Sequence, residues 1–233
     1  MSGPLADSTA VITGASRGIG RAIALRFAEA GAEVALWARD MSKLRSVAAE
    51  ISAAHGKARA IVVDVTNAEA VEHAAQLVRA TMPPVRTVVN NAGAVLRKST
   101  EAITDDEWRR VMAVNLDGTF FVTRAFLPDL EHTAGRVVNI ASRSGREGTS
   151  LLAAYCAAKH GVVGLTRALA EELRPGKVCV NAICPGSVDT AMLREGLPDA
   201  RPEMTPDDIA RTAVWLAHGA PQALTGACID VYG

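Results

Sequence analysis

Short apolar runs alternate along the whole chain with longer segments in which apolar residues recur every three or four positions. The short runs have the length and β-branched content of buried strands, and the longer segments have the spacing of amphipathic helices. We therefore predict strands over residues 9–13, 33–38, 59–63, 87–90, 136–140, 177–183 and 227–231. We predict helices over residues 19–30, 42–55, 68–82, 105–130, 153–173 and 206–217.

The regular alternation of strand and helix predicts the fold class. Strand–helix units that repeat in this way form a parallel sheet with helices on both faces. We expect residues 1–233 to form a single α/β domain, a doubly wound parallel sheet of about seven strands known as the Rossmann fold. Thr66, Thr104 and Thr205 precede acidic or proline-containing first turns, so we expect each of them to cap a helix.

Composition and charge narrow the classes of function. The chain of 233 residues is 49% hydrophobic and has 25 acidic and 25 basic residues, which leaves no net charge to attract nucleic acid or an anionic membrane. No basic start followed by an apolar stretch occurs at the N-terminus, and no long apolar run follows, so we expect a cytoplasmic protein without a membrane partner. Four cysteines without paired metal-ligand spacing predict reduced thiols and no metal.

A glycine-rich turn follows the first predicted strand and opens the first predicted helix. Glycines in this position let the backbone approach a pyrophosphate closely, and the helix N-terminus that follows favours its negative charge. The spacing Gly-x-x-x-Gly-x-Gly differs from the common dinucleotide fingerprint, and a plain tight connection is the alternative. The candidate phosphate-binding residues are Gly14, Ser16, Arg17, Gly18, Ile19 and Gly20.

The end of the second strand distinguishes between the two nicotinamide cofactors. NAD-binding units place a carboxylate there for the ribose hydroxyls, whereas a 2′-phosphate requires cations instead. The expected carboxylate position holds Ala38, and Arg39 follows it, while Arg17 lies in the glycine-rich turn. Two guanidinium groups could hold a phosphate, so we expect NADP(H) rather than NAD(H). If the expected carboxylate position were one or two residues later, Asp40 would occupy it and NAD(H) would be favoured.

Polar residues end the third and fourth strands and interrupt a later apolar segment. Asp64 and Val65 are suited to an adenine amino group and its apolar face, with a helix cap as the alternative for Asp64. Asn91, Ala92 and Gly93 follow the fourth strand, where Gly93 permits close approach to a ribose. Asn115 lies inside the apolar segment 111–122, where its amide needs a partner.

One strand–loop–helix unit carries the candidate catalytic residues. Tyr155 and Lys159 are four residues apart on one helix face, and a nearby ammonium favours the phenolate, so we expect the pKa of Tyr155 to be lowered. Ser142 follows the preceding strand at the sheet edge where reacting groups collect, and it could hydrogen-bond a substrate oxygen. The alternative is a contact on a helix face without chemistry. Cys156 points away from Tyr155 on the helix and receives no role.

Together, these motifs resemble the short-chain dehydrogenase/reductase family over nearly the whole chain. The resemblance implies that Tyr155 is the general acid or base, Ser142 orients the substrate oxygen, Lys159 also binds the nicotinamide ribose, and Asn115 extends a water-linked proton path. It implies NADP contacts from Arg17 and Arg39. The nicotinamide contacts implied by the resemblance come from Pro185, Gly186, Val188 and Thr190.

The resemblance also implies a reaction and an assembly. We expect NADP-dependent hydride transfer between the nicotinamide and a small carbonyl compound or secondary alcohol, with a 3-oxoacyl thioester as one substrate, in a homotetramer or homodimer formed through two long helices. The substrate loop near residues 190–205 is short and contains Pro198 and Pro202, which predicts an open cleft. Arg143 and Arg146 could bind an anionic group on the substrate.

Two other functions fit parts of the pattern. A non-catalytic NADPH-binding sensor or scaffold would lack at least one of Ser142, Tyr155 and Lys159, and all three are present. A nucleotide-sugar epimerase or dehydratase would share the tyrosine and lysine but needs a larger C-terminal portion than this chain has after its seventh predicted strand.

Overall fold

The computed structural model describes residues 3–233. Its seven strands are β1 (Thr9–Thr13), β2 (Glu33–Ala38), β3 (Lys57–Val62), β4 (Val85–Asn90), β5 (Arg136–Ile140), β6 (Cys179–Pro185) and β7 (Cys228–Val231). Its α-helices are α1 (Gly18–Glu29), α2 (Met41–Ala53), α3 (Ala68–Thr81), α4 (Asp105–Met112), α5 (Gly118–Ala125), α6 (Leu127–Thr133), α7 (Ala153–Glu172), α8 (Ala191–Gly196) and α9 (Pro206–Val214).

All seven strands pair in parallel in one sheet with the order β3-β2-β1-β4-β5-β6-β7. This confirms the predicted fold class. The chain runs outward from β1 to β3, then returns to place β4 on the other side of β1. A crevice opens where the strand order reverses in this way, at the carboxyl ends of the strands.

Helices cover both faces of the sheet, and alternate residues of each strand face opposite helix layers. In β2, Val34 and Leu36 pack in the apolar cluster that includes Ile23 and Phe27 of α1, whereas Trp37 packs in the cluster on the other face. The Trp37 and Phe126 rings lie 5.6 Å apart. Burial on both faces explains why the central strands read as continuous apolar runs instead of alternating ones.

The predicted helix over residues 105–130 is interrupted, and Asn115 marks the interruption. Residues Ala113–Asp117 form a π-helical turn between α4 and α5. The Asn115 side-chain amide donates to the Val111 carbonyl at 2.9 Å and to the Ala94 carbonyl at 2.8 Å, so it satisfies backbone groups on its own helix and on a neighbouring loop. A π-turn of this kind often occurs at a functional site.

Some boundaries and caps differ from the prediction. β6 begins two residues later than predicted because Lys177 closes a turn with a left-handed φ of 57°. Thr104 caps α4 and Thr205 caps α9 through capping boxes, as predicted. The prediction for Thr66 is wrong, because the side chain of Asn67 accepts the first free amides of α3 instead.

The cysteines, the helix lengths and the clusters of possible metal ligands bear on what the fold can do. Cys156, Cys179, Cys184 and Cys228 are all free thiols. Burial raises the pKa of the Cys184 thiol to about 11, which keeps this side chain neutral and unreactive at ordinary pH. Within residues 3–233, no helix has the length and apolar character needed to cross a membrane. In the same residues, no cluster of three or more His, Cys, Asp or Glu side chains could hold a metal ion.

Candidate active site

A cleft of about 640 Å³ lies at the carboxyl ends of the central strands and extends beneath α8. The predicted site residues that line it are Gly14, Ser16, Arg17, Gly18, Ile19, Arg39, Asp64, Val65, Asn91, Ala92, Gly93, Ser142, Tyr155, Lys159, Pro185, Gly186, Val188 and Thr190. Two predicted residues, Gly20 and Asn115, lie behind the lining. The topology therefore brings together segments that are up to about 175 residues apart in the sequence.

The turn after β1 is shaped by its glycines and held by Asn91. Gly14 and Gly18 have φ values of +64° and +54°, which glycine adopts without steric cost. Asn91 donates its side-chain amide to the carbonyls of Thr13 at 3.0 Å and Gly14 at 3.3 Å. Gly20 does not reach the cleft, but a Cβ at Gly20 would lie 2.3 Å from the Gly14 carbonyl oxygen, so its role is to let α1 pack against the turn.

Exposed cations surround the cleft near the end of β2. Arg17 and Arg39 line the cleft, and neither forms an ion pair with any of residues 3–233. Asp40 caps α2 by accepting the Lys43 amide at 3.1 Å, and its other carboxylate oxygen lies 3.2 Å from Lys43 Nζ. These hydrogen bonds from the Lys43 amide and side chain lower the pKa of Asp40. The carboxylate that could have favoured NAD(H) is therefore already engaged by its own helix.

Asp64 forms a local turn at the end of β3. Its carboxylate accepts the Thr66 amide at 3.0 Å and the Thr66 hydroxyl at 2.8 Å. Because Asn67 caps the next helix, the helix-cap alternative for Asp64 is wrong. Asp64 and Val65 both line the cleft, as the adenine hypothesis requires.

Ser142 and Tyr155 meet in the cleft, although thirteen residues separate them. The Ser142 hydroxyl lies near enough to the phenol to lower the pKa of Tyr155. Ser142 Oγ also accepts the Ser144 backbone amide at 3.0 Å, at the start of a single 3₁₀ turn. Because that amide occupies one lone pair, the serine hydroxyl is fixed in place and its own proton remains able to point toward Tyr155 or a substrate oxygen.

The expected lowering of the Tyr155 pKa does not occur in the chain alone. Burial raises the pKa of Tyr155 to about 12, and the nearby Ser142 hydroxyl opposes the rise only in part. Lys159 Nζ lies 5.7 Å from the centre of the tyrosine ring and donates to the Ile140 carbonyl at 2.7 Å. The ammonium is therefore hydrogen-bonded to a backbone carbonyl and not to the phenol. The phenol stays protonated at neutral pH, which is the state that a proton donor requires.

Lys159, Gly93 and Asn115 meet on the inner side of the site. Burial lowers the pKa of Lys159 to about 8, so that its ammonium is costly to keep inside the fold. A Cβ at Gly93 would lie 2.9 Å from Asn115 Oδ1 and 3.8 Å from Lys159 Nζ. Asn115 Oδ1 is buried and has no hydrogen-bond partner among residues 3–233. An unsatisfied buried acceptor beside an ammonium is suited to an ordered water molecule.

Apolar side chains that the sequence reasoning missed form the other wall of the cleft. Val95, Leu152 and Tyr155 belong to one apolar cluster, and Met192 and Leu197 pack against it from α8 and the residue that follows it. A Cβ at Gly196 would lie 2.8 Å from Val95 Cγ2, so the end of α8 packs directly on this wall. The short segment after Thr190, where we predict an open cleft, forms the helix α8, whose residues line this side of the cleft.

The structure does not support anion binding by Arg143 and Arg146. Neither residue lines the cleft. Arg143 pairs with Glu147 at 3.0 Å, and Arg146 pairs with Asp230 at 3.2 Å. Both guanidinium groups are therefore paired with carboxylates, one in the loop after β5 and one on β7. The hypothesis that they receive a substrate anion is wrong.

Comparison with known proteins places these features in a family. Residues 8–200 match the family model described as short chain dehydrogenase. A 3-oxoacyl-acyl-carrier-protein reductase of Chlamydia trachomatis serovar D is 33% identical over 246 aligned residues, which cover 100% of this chain and 99% of the reductase.

Two solved structures have the same fold at similar identity. A Beutenbergia cavernae protein provisionally named as an NAD(P)-dependent gluconate 5-dehydrogenase, crystallised with bound NADP at low occupancy, is 39% identical with a TM-score of 0.90 and covers 97% of this chain and 95% of its own. A variant of the actinorhodin polyketide ketoreductase, crystallised with NADPH, is 33% identical with a TM-score of 0.92 and covers 100% of this chain and 98% of its own.

Proposed function

The chain belongs to the short-chain dehydrogenase family and is an oxidoreductase of that family, and from this premise we propose that it transfers a hydride between NADP(H) and a carbonyl compound or secondary alcohol. The observation that carries the proposal is that Ser142 and the protonated Tyr155 meet in the lining of the cleft. It supplies a proton donor and an oxygen-orienting hydroxyl at one point. A non-catalytic scaffold would have no use for this pair.

The residues present fit NADP(H). The glycine turn after β1 and the N-terminus of α1 would hold the pyrophosphate. Arg17 and Arg39 would hold the 2′-phosphate, since both line the cleft and neither is neutralised by a carboxylate of residues 3–233. Asp64 and Val65 would contact the adenine, and the lining residues from Pro185 to Thr190 would contact the nicotinamide.

Bound NADP(H) supplies the hydride in reduction and accepts it in oxidation. In reduction, Ser142 holds the substrate carbonyl oxygen by a hydrogen bond, which polarises the carbonyl group. As the carbonyl carbon gains the hydride, Tyr155 gives its phenolic proton to the oxygen, and the product is the secondary alcohol. The ammonium of Lys159 then stabilises the tyrosinate that remains, at a site where burial makes an unpaired charge costly.

Asn115 and Lys159 would return a proton to Tyr155. The unsatisfied Asn115 Oδ1 and the nearby Lys159 Nζ together offer an acceptor and a donor to a water molecule. A water held there would link Lys159 to Asn115 on the π-turn. The π-turn is therefore part of the proposed catalytic apparatus as well as a break in the helix.

The substrate can be proposed only as a class. The Chlamydia relative and the ketoreductase both act on keto groups by their names, which supports a 3-oxoacyl thioester or another small ketone. The name of the Beutenbergia protein supports a sugar acid as the second candidate.

We also propose a cytoplasmic homo-oligomer, as the family resemblance implies. Trp108 on α4 and Phe120 on α5 expose 41% and 39% of their surface, which supports a contact between subunits along these helices. Sedimentation of the purified protein at micromolar concentration tests this, and a monomer would contradict it.

Replacing Tyr155 with Phe tests the catalytic proposal. The variant should lose at least about a thousandfold in kcat, because general acid catalysis contributes about 10² to 10⁴ in rate. Its dissociation constant for NADPH, measured by calorimetry, should stay within about threefold of the native value. Retained turnover would remove Tyr155 from the mechanism.

Replacing Arg17 and Arg39 with Ala tests the cofactor proposal. The double variant should bind NADPH at least about tenfold more weakly, because it loses charge-assisted hydrogen bonds to the phosphate. NADH is the matched control, since it lacks only the 2′-phosphate, and its affinity should stay nearly constant. Equal losses for both cofactors would contradict the proposed phosphate site.

A further inference from the structure

Apolar side chains form one wall of the substrate end of the cleft. Its wall consists of Val95, Leu152, Met192, Leu193 and Leu197, all of which line the cleft. Four of these five also pack in or against the apolar cluster that contains Tyr155. The groups attached to the reacting carbonyl carbon therefore meet hydrocarbon on the side of α8.

The cations near this end are paired, buried or outside the cleft lining. Arg194 lines the cleft, and its Nη1 lies 2.6 Å from Asp189 Oδ1. Lys98 Nζ lies 2.9 Å from Glu107 Oε2, and Lys159 is buried on the carbonyl of Ile140. Arg97 is exposed, donates to the Gly196 carbonyl at 3.5 Å and does not line the cleft. A substrate carboxylate that entered this end would lose its water and would have to compete with Asp189 for Arg194, which is unfavourable.

Two further hydroxyl groups in the lining, those of Thr190 and Ser144, are hydrogen-bonded within the chain. Thr190 Oγ1 donates to the Val188 carbonyl at 3.3 Å and accepts the Leu193 amide at 3.2 Å. Ser144 is buried and lines the cleft, and its Oγ lies 3.2 Å from the Thr149 hydroxyl, with which it forms a hydrogen bond. A substrate rich in hydroxyl groups would therefore have few partners besides Ser142 and Tyr155. Leaving buried hydroxyl groups without partners costs binding free energy.

We propose, on the basis of the proposed oxidoreductase function, that the substrate is an uncharged ketone whose carbonyl carbon carries aliphatic or aryl groups, or the corresponding secondary alcohol. The wall formed with α8 selects these groups and rejects carboxylates and sugar acids. Met192 is a specificity-determining residue in this assignment because its side chain lines the cleft and packs against the apolar cluster that contains Tyr155.

A matched series of aryl ketones tests the assignment. Acetophenone, methyl para-acetylbenzoate and para-acetylbenzoate share one reacting group, and the last two differ by a neutral ester against a carboxylate. Binding of each to the protein–NADP⁺ complex is measured by calorimetry, and turnover of each is measured by NADPH absorbance. Gluconate is titrated as a representative sugar acid.

Both neutral ketones should bind at least about tenfold more tightly than para-acetylbenzoate and gluconate, since a buried and unpaired charge is costly. Equal or tighter binding of either anion would overturn the assignment, and so would failure of both neutral ketones to bind. Tight binding of the neutral ketones without any turnover would leave the assignment standing and refute the proposed oxidoreductase function instead. Binding and turnover thus separate the two proposals.

A charge placed on the wall supplies the second test. Met192→Lys should strengthen para-acetylbenzoate binding at least about fivefold and weaken acetophenone, because the new ammonium pairs with the carboxylate and removes apolar contact. Glu195→Gln raises the net charge of α8 by the same one unit, because it removes a negative charge at an exposed residue outside the cleft lining. It should change neither affinity. If Met192→Lys behaves like Glu195→Gln, the α8 wall is not the substrate wall.

Discussion

The buried ammonium of Lys159 should lower the free energy of unfolding of the native protein at neutral pH. Replacing Lys159 with Met should reveal the size of this destabilisation. Its side chain is 4% exposed, and burial lowers its pKa from the usual 10.5 to about 8. At neutral pH the ammonium is charged in both the folded and the unfolded chain, but only the folded chain must bury it. At about 1.4 kcal/mol per pKa unit, this lowering corresponds to about 3 kcal/mol of destabilisation at pH 7.

The pH dependence has a definite sign. Between about pH 8 and pH 10.5 the folded chain has released the Lys159 proton while the unfolded chain still holds it. The free energy of unfolding therefore rises with pH in this window through Lys159. Lys159→Met removes this contribution, so the stability of the variant relative to the native protein should fall by about 2 kcal/mol between pH 7 and pH 9.5.

Urea unfolding of the cofactor-free protein at both pH values measures this difference. At pH 7 the variant loses the hydrogen bond to the Ile140 carbonyl, which costs about 1 to 3 kcal/mol and partly offsets the relief of the buried charge. Tyr155→Phe is the control, because the pKa of Tyr155 is raised from 10 to about 12 and the phenol stays protonated in both states up to pH 9.5. A gap between Lys159→Met and the native protein that does not change with pH would refute the reasoning.

Three further predictions concern the turn, the cofactor and a helix cap. Gly93→Ala should lower kcat at least about tenfold, because the added methyl would contact Asn115 Oδ1 and exclude a water there; near-native turnover would contradict the water site. Asp40→Asn keeps a good cap for α2 but removes a negative charge beside the proposed 2′-phosphate site. In calorimetry, the variant should bind NADPH several-fold more tightly and NADH with unchanged affinity. Weaker NADPH binding would argue against the proposed phosphate site. Thr104→Ala should lower the urea-unfolding free energy by about 1 kcal/mol by removing the capping box of α4, and no change would mean that the cap contributes nothing.

Local chemistry in the sequence accounts for much of the fold and of the site. Apolar runs and helical spacing predict the strands, the helices and the parallel sheet, because both signals are periodic along the chain. Glycines at positions that require a left-handed turn identify the start of α1, and an amide inside an apolar segment shows that Asn115 needs a hydrogen-bond partner, although it does not reveal the π-turn. These features depend on each residue and its near neighbours, so a single sequence reveals them.

Other features depend on distances that no spacing in the sequence gives. The sequence predicts that Lys159 lowers the pKa of Tyr155, but this pKa is raised, because the surrounding elements bury the phenol. The ammonium of Lys159 is hydrogen-bonded to the Ile140 carbonyl and does not offset the effect of burial. Two arginines beside Ser142 are drawn to Glu147 and Asp230, one of which lies more than eighty residues away.

The sequence by itself determined the fold class, the glycine-rich turn after β1 and the choice of Ser142, Tyr155 and Lys159 as candidate catalytic residues, since each depends on a local pattern of residue types. Only the tertiary structure decided the protonation and burial of these groups and the apolar wall that α8 forms beside them. Charge, burial and apolar contact are properties of the space between elements, and α8 acquires its meaning only when Gly196 packs against Val95 from a distant segment.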